Sequence, residues 1–182
     1  LAIEGALIAT RRAPGILRQN FGFMHLLGFD LSAFEKQREE FKKAARQEAA
    51  GRIIATDIRP EAVEAARQNA RTAEVEHLIE FQICDFRESI VPEGEGIVIL
   101  NPEYGERMGD AGKLGDIYKG IGDFFKNRCL GYRGYIFTGN LELAKQVGLR
   151  TKRRIPFYNG PIECRLLEYE LYRGSRKGGT EG

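Results

Sequence analysis

Residues 51–101 read GRIIATDIRPEAVEAARQNARTAEVEHLIEFQICDFRESIVPEGEGIVILN. Apolar runs of strand length alternate here with an amphipathic run of helix length. Arg52–Asp57 (RIIATD) predicts a buried strand, and Pro60 opens a helix with Ala62, Val63, Ala66, Ala70 and Ala73 along one face. Ile79–Asp85 predicts a second strand and Gly96–Asn101 a third. Strands that alternate with helices call for a parallel sheet covered on both faces, joined by right-handed crossovers.

The pattern continues on the C-terminal side. Leu114, Ile117, Tyr118, Ile121, Phe124 and Phe125 form one apolar stripe of a helix, Arg133–Gly139 predicts a fourth strand and Leu141–Val147 a short helix. The runs Arg150–Phe157 and Glu163–Tyr172 flank an Asn159-Gly160-Pro161 turn and should pair antiparallel at the end of the sheet. On the N-terminal side, residues 1–10 have helical spacing, Pro14-Gly15 breaks it, and Phe21, Phe23 and Phe29 form an aromatic stretch. The mixed charges of EKQREEFKKAARQE predict an exposed helix that ends at Gly51.

The 182 residues suffice for one domain with its own core, and 42% hydrophobic against 30% charged residues excludes a disordered chain. A net charge of +2 creates no global field for nucleic acid, so any such contact must come from local basic clusters. No apolar run is long enough to cross a bilayer, and the N-terminus lacks the pattern of a signal peptide; the cytoplasm is the expected compartment. Cys84, Cys129 and Cys164 are far apart, and His25 and His77 stand alone, which suggests neither a disulfide framework nor a metal site.

In an open parallel sheet, ligands sit outside the carboxyl ends of the strands. Three predicted strands end in polar residues. Asp57 stands where a carboxylate can accept both hydroxyls of a ribose, and it equally suits a turn or helix cap. Asp85 could accept from an adenine amino group or simply start a loop. The segment Asn101-Pro102-Glu103-Tyr104-Gly105-Glu106-Arg107 is the most informative. An Asn side-chain oxygen and the following carbonyl can accept both protons of an exocyclic amine, turning its lone pair toward an electrophile, while Tyr104 offers a ring for the base to stack on. That chemistry serves methylation of a nucleobase nitrogen; the same residues could also form a plain turn.

The runs IEGALIATRRAPGILRQNFGF (3–23), TDIRPEAVEAARQNAR (56–71), NPEYGERMG (101–109) and NGPIEC (159–164) together resemble the methyltransferase domain of bacterial THUMP-containing 23S rRNA guanine-N2-methyltransferases, a family often called N6-adenine-specific DNA methylases. The resemblance implies a Rossmann-like class I α/β fold with an antiparallel C-terminal hairpin. It implies a catalytic domain over residues 1–174, with 11–50 as a helical insertion and 175–182 as a flexible tail. S-adenosylmethionine is the implied methyl donor and ribosomal RNA the implied partner. Asp57 would meet the donor's ribose, Asp85 its adenine with Ile58 as a packing wall, and Asn101, Pro102 and Tyr104 the target amine, Asn101 also bordering the donor. Two departures stand out. The family's first strand and glycine-rich donor loop belong upstream of Leu1, so the sheet is expected to lack that strand and the natural protein to be longer, with a THUMP domain ahead of it. The common motif also has Pro where this chain has Glu103, whose carboxylate could accept guanine's N–H donors or face solvent.

RNA phosphates would be met by Arg153 and Arg154, with Arg150 and Lys152 beside them, and by Arg11, Arg12 and Arg18, or these side chains are ordinary solvated charge. Arg107 could touch the substrate backbone or pair with Glu106 or Asp110. The competing functions are adenine-N6 methylation of DNA or RNA and a non-catalytic RNA-binding module. A nucleotide-dependent dehydrogenase is disfavoured because no G-x-G-x-x-G follows a strand.

Overall fold

The computed structural model describes residues 1–103, 111–160 and 162–172. Its contacts gather into two units, Leu1–Ile90 and Val91–Gly182.

The first unit begins with α1 (Ala2–Ala9), which buries Ala6. The Thr10 hydroxyl donates back to the Ala6 carbonyl at 2.7 Å, which satisfies this buried side chain at the helix end. Residues 11–45 then form a closed excursion, because Arg46 N–H donates to the Thr10 carbonyl at 2.7 Å. The excursion holds a 3-10 turn at Gly22–His25 and α2 (Leu31–Ala44), capped by the Asp30 side chain. No residue of α2 is buried, as its mixed charges require. The helix stops at Ala44, before the predicted Gly51. Phe34 of α2 instead meets Phe21, Phe23 and Phe29 in an aromatic cluster with centroids 5.6–6.1 Å from its own.

β1 (Ile53–Asp57), α3 (Pro60–Thr72) and β2 (Ile79–Ile83) follow, and β1 and β2 pair in parallel. Proline at the first helical position needs no partner for a missing N–H, which lets α3 start there. The predicted face is the buried one: Val63 and Ala70 are sealed, and Ala70 joins Ala6, Val75 and Ile79 in the core. Glu74 adopts φ 57°, a left-handed conformation costly for a side chain, and the Arg12 guanidinium holds its carbonyl at 3.0 Å.

The second unit comprises β3 (Ile97–Leu100), α4 (Ala111–Arg128), β4 (Arg133–Thr138), α5 (Leu141–Lys145), β5 (Arg153–Asn159) and β6 (Ile162–Glu170). Its sheet runs β3-β4-β6-β5, with β3 and β4 parallel and β6 antiparallel to both neighbours. The predicted terminal hairpin is therefore present. Tyr118, Ile121 and Phe125 of α4 are fully buried, as are Ile136, Leu167 and Tyr169 of the sheet. Gly134 allows the approach: a Cβ there would lie 2.8 Å from the Phe125 ring. Glu168 is 2% exposed, and its carboxylate accepts from Arg153 Nε at 2.5 Å. Buried charge is tolerated only when partnered in this way.

Among the described residues β1 pairs only with β2, and β3 only with β4. One edge of β1 and one edge of β3 thus carry no ladder among the described residues.

Candidate active site

The acidic residues belong to the first unit. Asp57 is the last residue of β1, and its Oδ1 accepts the Arg59 N–H at 2.9 Å, an Asx turn that leads the chain into α3. Arg59 Nε lies 3.6 Å from the same oxygen. β2 ends at Ile83, two residues before the predicted end, because Asp85 is drawn into a cap. Its Oδ1 accepts the Arg87 N–H at 2.9 Å, and its Oδ2 meets the Arg87 guanidinium at 2.8 Å. The structure brings the two acids to one end of one sheet. Asp57 pairs with Ile83 in register, and the Cys84 N–H donates to the Asp57 carbonyl at 3.1 Å. A hydroxyl contact of 3.0 Å between Thr56 and Ser89 fastens the segment after Asp85 back to β1. Ile58 and Ile83, 65% and 58% exposed, leave apolar surface beside these carboxylates.

Asn101, Pro102 and Glu103 belong to the second unit. They follow Leu100, the last residue of β3, so they emerge from the carboxyl end of a parallel strand as predicted. Asn101 and Glu103 are exposed, and Pro102 is half-buried. The Tyr118 hydroxyl approaches the Glu103 carbonyl at 3.5 Å and the Thr138 hydroxyl at 2.6 Å. Thr138 Oγ1 also accepts the Asn140 N–H at 3.0 Å. Tyr104 and Arg107 lie outside the described residues. Sequence reasoning counted Tyr118 as part of an apolar stripe and passed over Thr138. The available signal was a threonine closing the otherwise apolar strand YIFT.

The basic residues do not act alike. Strand alternation puts Arg153 and Arg154 on opposite faces of β5. Arg153 is engaged by buried Glu168, which also raises its pKa, whereas Arg154 Nε donates to Thr151 Oγ1 at 3.1 Å. Lys152 pairs with Glu170. In the first unit Arg18 stacks over the Phe21 ring at 5.1 Å and Arg12 serves the α3 turn. No group of metal-binding side chains occurs among the described residues.

Residues 1–168 match the family model UPF0020, the RMKL-like methyltransferase domain. The chain belongs to this family. A Synechocystis protein provisionally named an RNA methyltransferase is 35% identical over 170 residues, covering 93% of this chain and 44% of its own length. The ribosomal RNA large subunit methyltransferase K/L of Allochromatium vinosum is 37% identical over 175 residues, covering 94% of this chain and 24% of its own length. The RMKL-like domain thus spans less than half the length of these curated relatives. Among solved structures, SMU.472, a provisional methyltransferase in complex with SAH, superposes with a TM-score of 0.86 at 25% identity, covering 96% of this chain and 46% of that one. The RMKL-like domain has the class I methyltransferase fold, and no helix of its described residues is long and apolar enough to cross a membrane.

Proposed function

We propose that this RMKL-like domain transfers a methyl group from S-adenosylmethionine to the exocyclic N2 amine of a guanine in 23S ribosomal RNA, as part of a cytoplasmic protein whose upstream THUMP domain helps to hold the RNA. The observation that carries the reading is exposed Asn101, followed by half-buried Pro102, immediately beyond the last residue of a parallel strand. Family membership and the SAH complex of SMU.472 support the choice of donor.

The chemistry of the first unit suits that donor. A ribose diol requires acceptors and an adenine ring requires apolar contact, and Asp57 with exposed Ile58 and Ile83 offers both. Asp85, already held by Arg87, would accept from the adenine amino group with the oxygen capacity that remains. The donor supplies an electrophilic methyl carbon on a cationic sulfur.

The acceptor half needs only orientation. The Asn101 side-chain oxygen and the Pro102 carbonyl would each accept one N–H of the flipped-out base, which would turn the nitrogen lone pair toward an electrophile. The amine would attack while neutral, so no strong base is required beforehand; the methyl–sulfur bond breaks, S-adenosylhomocysteine leaves, and the methylated nitrogen gives up one proton to solvent. Tyr104 would stack on the base, Glu103 would face its Watson–Crick edge, and Arg107, Arg153 and Arg154 would contact the RNA, Arg153 only with the capacity that Glu168 leaves.

The test is methyl transfer from labelled donor to 23S rRNA, followed by digestion to nucleosides. N2-methylguanosine is expected from the full-length wild-type protein and none from its Asn101→Ala variant with an unchanged circular dichroism spectrum. N6-methyladenosine as the product, or normal turnover in Asn101→Ala, overturns the reading.

A further inference from the structure

We infer that Tyr118 is a positioning residue: through its hydroxyl, backed by Thr138, it fixes the backbone of Asn101-Pro102-Glu103 in the conformation that receives the amine. The inference rests on the methyl-acceptor role proposed for that loop. Tyr118 and Thr138 are both 0% exposed, yet their hydroxyls meet at 2.6 Å at the loop end of the sheet. One comes from a helix and the other from the last residue of β4, the strand paired with β3. Burying two hydroxyls is costly unless each is satisfied.

Each hydroxyl carries one proton, so the bonds must run in a consistent direction. When Tyr118 donates to the Glu103 carbonyl, Thr138 donates to Tyr118 and accepts from the Asn140 N–H, 3.0 Å away. When Tyr118 donates to Thr138 instead, the Glu103 carbonyl is released and Thr138 turns toward the Asn140 carbonyl at 3.5 Å. The 3.5 Å approach to Glu103 is longer than a formed O–H···O hydrogen bond, about 2.5–3.0 Å. Contacts of this kind tighten when substrate arrives. Glu103 has a rotatable φ that a proline ring would have locked, and the tyrosine supplies the missing restraint. The carbonyl of Pro102, which must accept from the amine, belongs to the peptide immediately before Glu103.

The test uses the full-length protein. Tyr118→Phe keeps the ring and deletes the hydroxyl. Hydrogen exchange in peptides covering 101–103 should quicken about tenfold while exchange in β1 and β2 is unchanged. With S-adenosylmethionine and 23S rRNA, kcat should fall about tenfold with the donor KM unchanged. Thr138→Val should do the same, Thr138→Ser should restore activity, and the double variant should be no worse than either single one, since one break already disconnects the chain of hydroxyls. Tyr169→Phe, an equally buried tyrosine of the same core, should lower the unfolding midpoint and leave kcat alone. Unchanged exchange at 101–103 in Tyr118→Phe overturns the inference. So does a kcat that stays at the wild-type value, or that falls together with donor binding and the unfolding midpoint. If the full-length wild-type protein transfers no methyl group, the acceptor reading itself fails, and the exchange measurement alone decides whether Tyr118 holds the loop.

Discussion

The two units each bring polar groups to the carboxyl ends of parallel strands, but they hold those ends by different means. In the first unit Asp57 and Asp85 are fixed by their immediate neighbours, through turns closed on Arg59 and Arg87. In the second unit the segment after β3 is met by a buried tyrosine fifteen residues away, itself bonded to a threonine twenty residues further on. Their cores differ in the same sense. The first is built around Ala6, Ala70, Val75 and Ile79, whereas the second packs Tyr118, Phe124, Phe125, Tyr132 and Tyr169. Small side chains bury little area each, and aromatic ones bury far more and interlock. The lesson is that one doubly wound pattern can set its site residues by local turn chemistry in one region and by tertiary packing in another.

The sharpest way to test the contrast is to cut the aromatic core. Phe125→Ala should lower unfolding stability by about 3–5 kcal/mol in denaturant titrations, because the ring packs on Tyr169 at 5.7 Å and fills the space above Gly134. A loss below 1 kcal/mol, on the order of a surface change, would mean that the second unit is loosely packed after all.

A second comparison uses the same substitution in two helices. At Gly122 of α4 a Cβ would lie 1.9 Å from the Val147 carbonyl oxygen, so Gly122→Ala should destabilise by about 1–3 kcal/mol despite its better helix propensity. At Gly5 of α1 nothing lies within 4 Å of the same atom, so Gly5→Ala should stabilise by about 0.5–1 kcal/mol. Effects of equal sign at the two sites would erase the distinction.

The smallest expected effects are in pH dependence. In the first unit, hydrogen bonds and charge from Arg71, Arg52 and Lys42 lower the carboxyl pKa values of Glu76, Glu80 and Glu39 below 4.5. These groups contribute stability above that ordinary value, and the contribution is lost as pH falls through the lowered ones. Glu76→Gln should therefore flatten the acid limb of a stability profile, more visibly at low salt. In the second unit burial pushes the Cys129 thiol from 9.0, and the Tyr169 phenol from 10.0, up to about 12. The unfolded chain releases those protons first, so stability should fall as pH climbs from about 9 toward 12. Cys129→Ala should reduce that alkaline slope; an unchanged slope would place the alkaline sensitivity elsewhere.

Much of the fold was legible in the sequence because it is written in short-range periodicity. The alternation across residues 51–101 marked β1, α3, β2 and β3 within two residues of their observed ends, and Asn-Gly-Pro marked the hairpin of β5 and β6. The candidate residues Asp57, Asp85 and Asn101 could be found for the same reason, since each follows an apolar run and needs only its position along the chain.

Other features depended on which chains of contact closed in three dimensions. The end of α2 at Ala44 rather than Gly51 follows a return of the backbone to Thr10, a bond between residues far apart in sequence. Arg153 and Arg154 look alike in the sequence, and only the presence of buried Glu168 on one face of β5 commits the first to an ion pair. The hydroxyl of Tyr118 reads as one more apolar position of a stripe until the strand that carries Thr138 is laid against it. Periodicity is a property of neighbouring residues and survives in one dimension. The partner of a buried polar group is chosen by packing, where the cost of leaving it unsatisfied is charged, and that choice exists only in the folded chain.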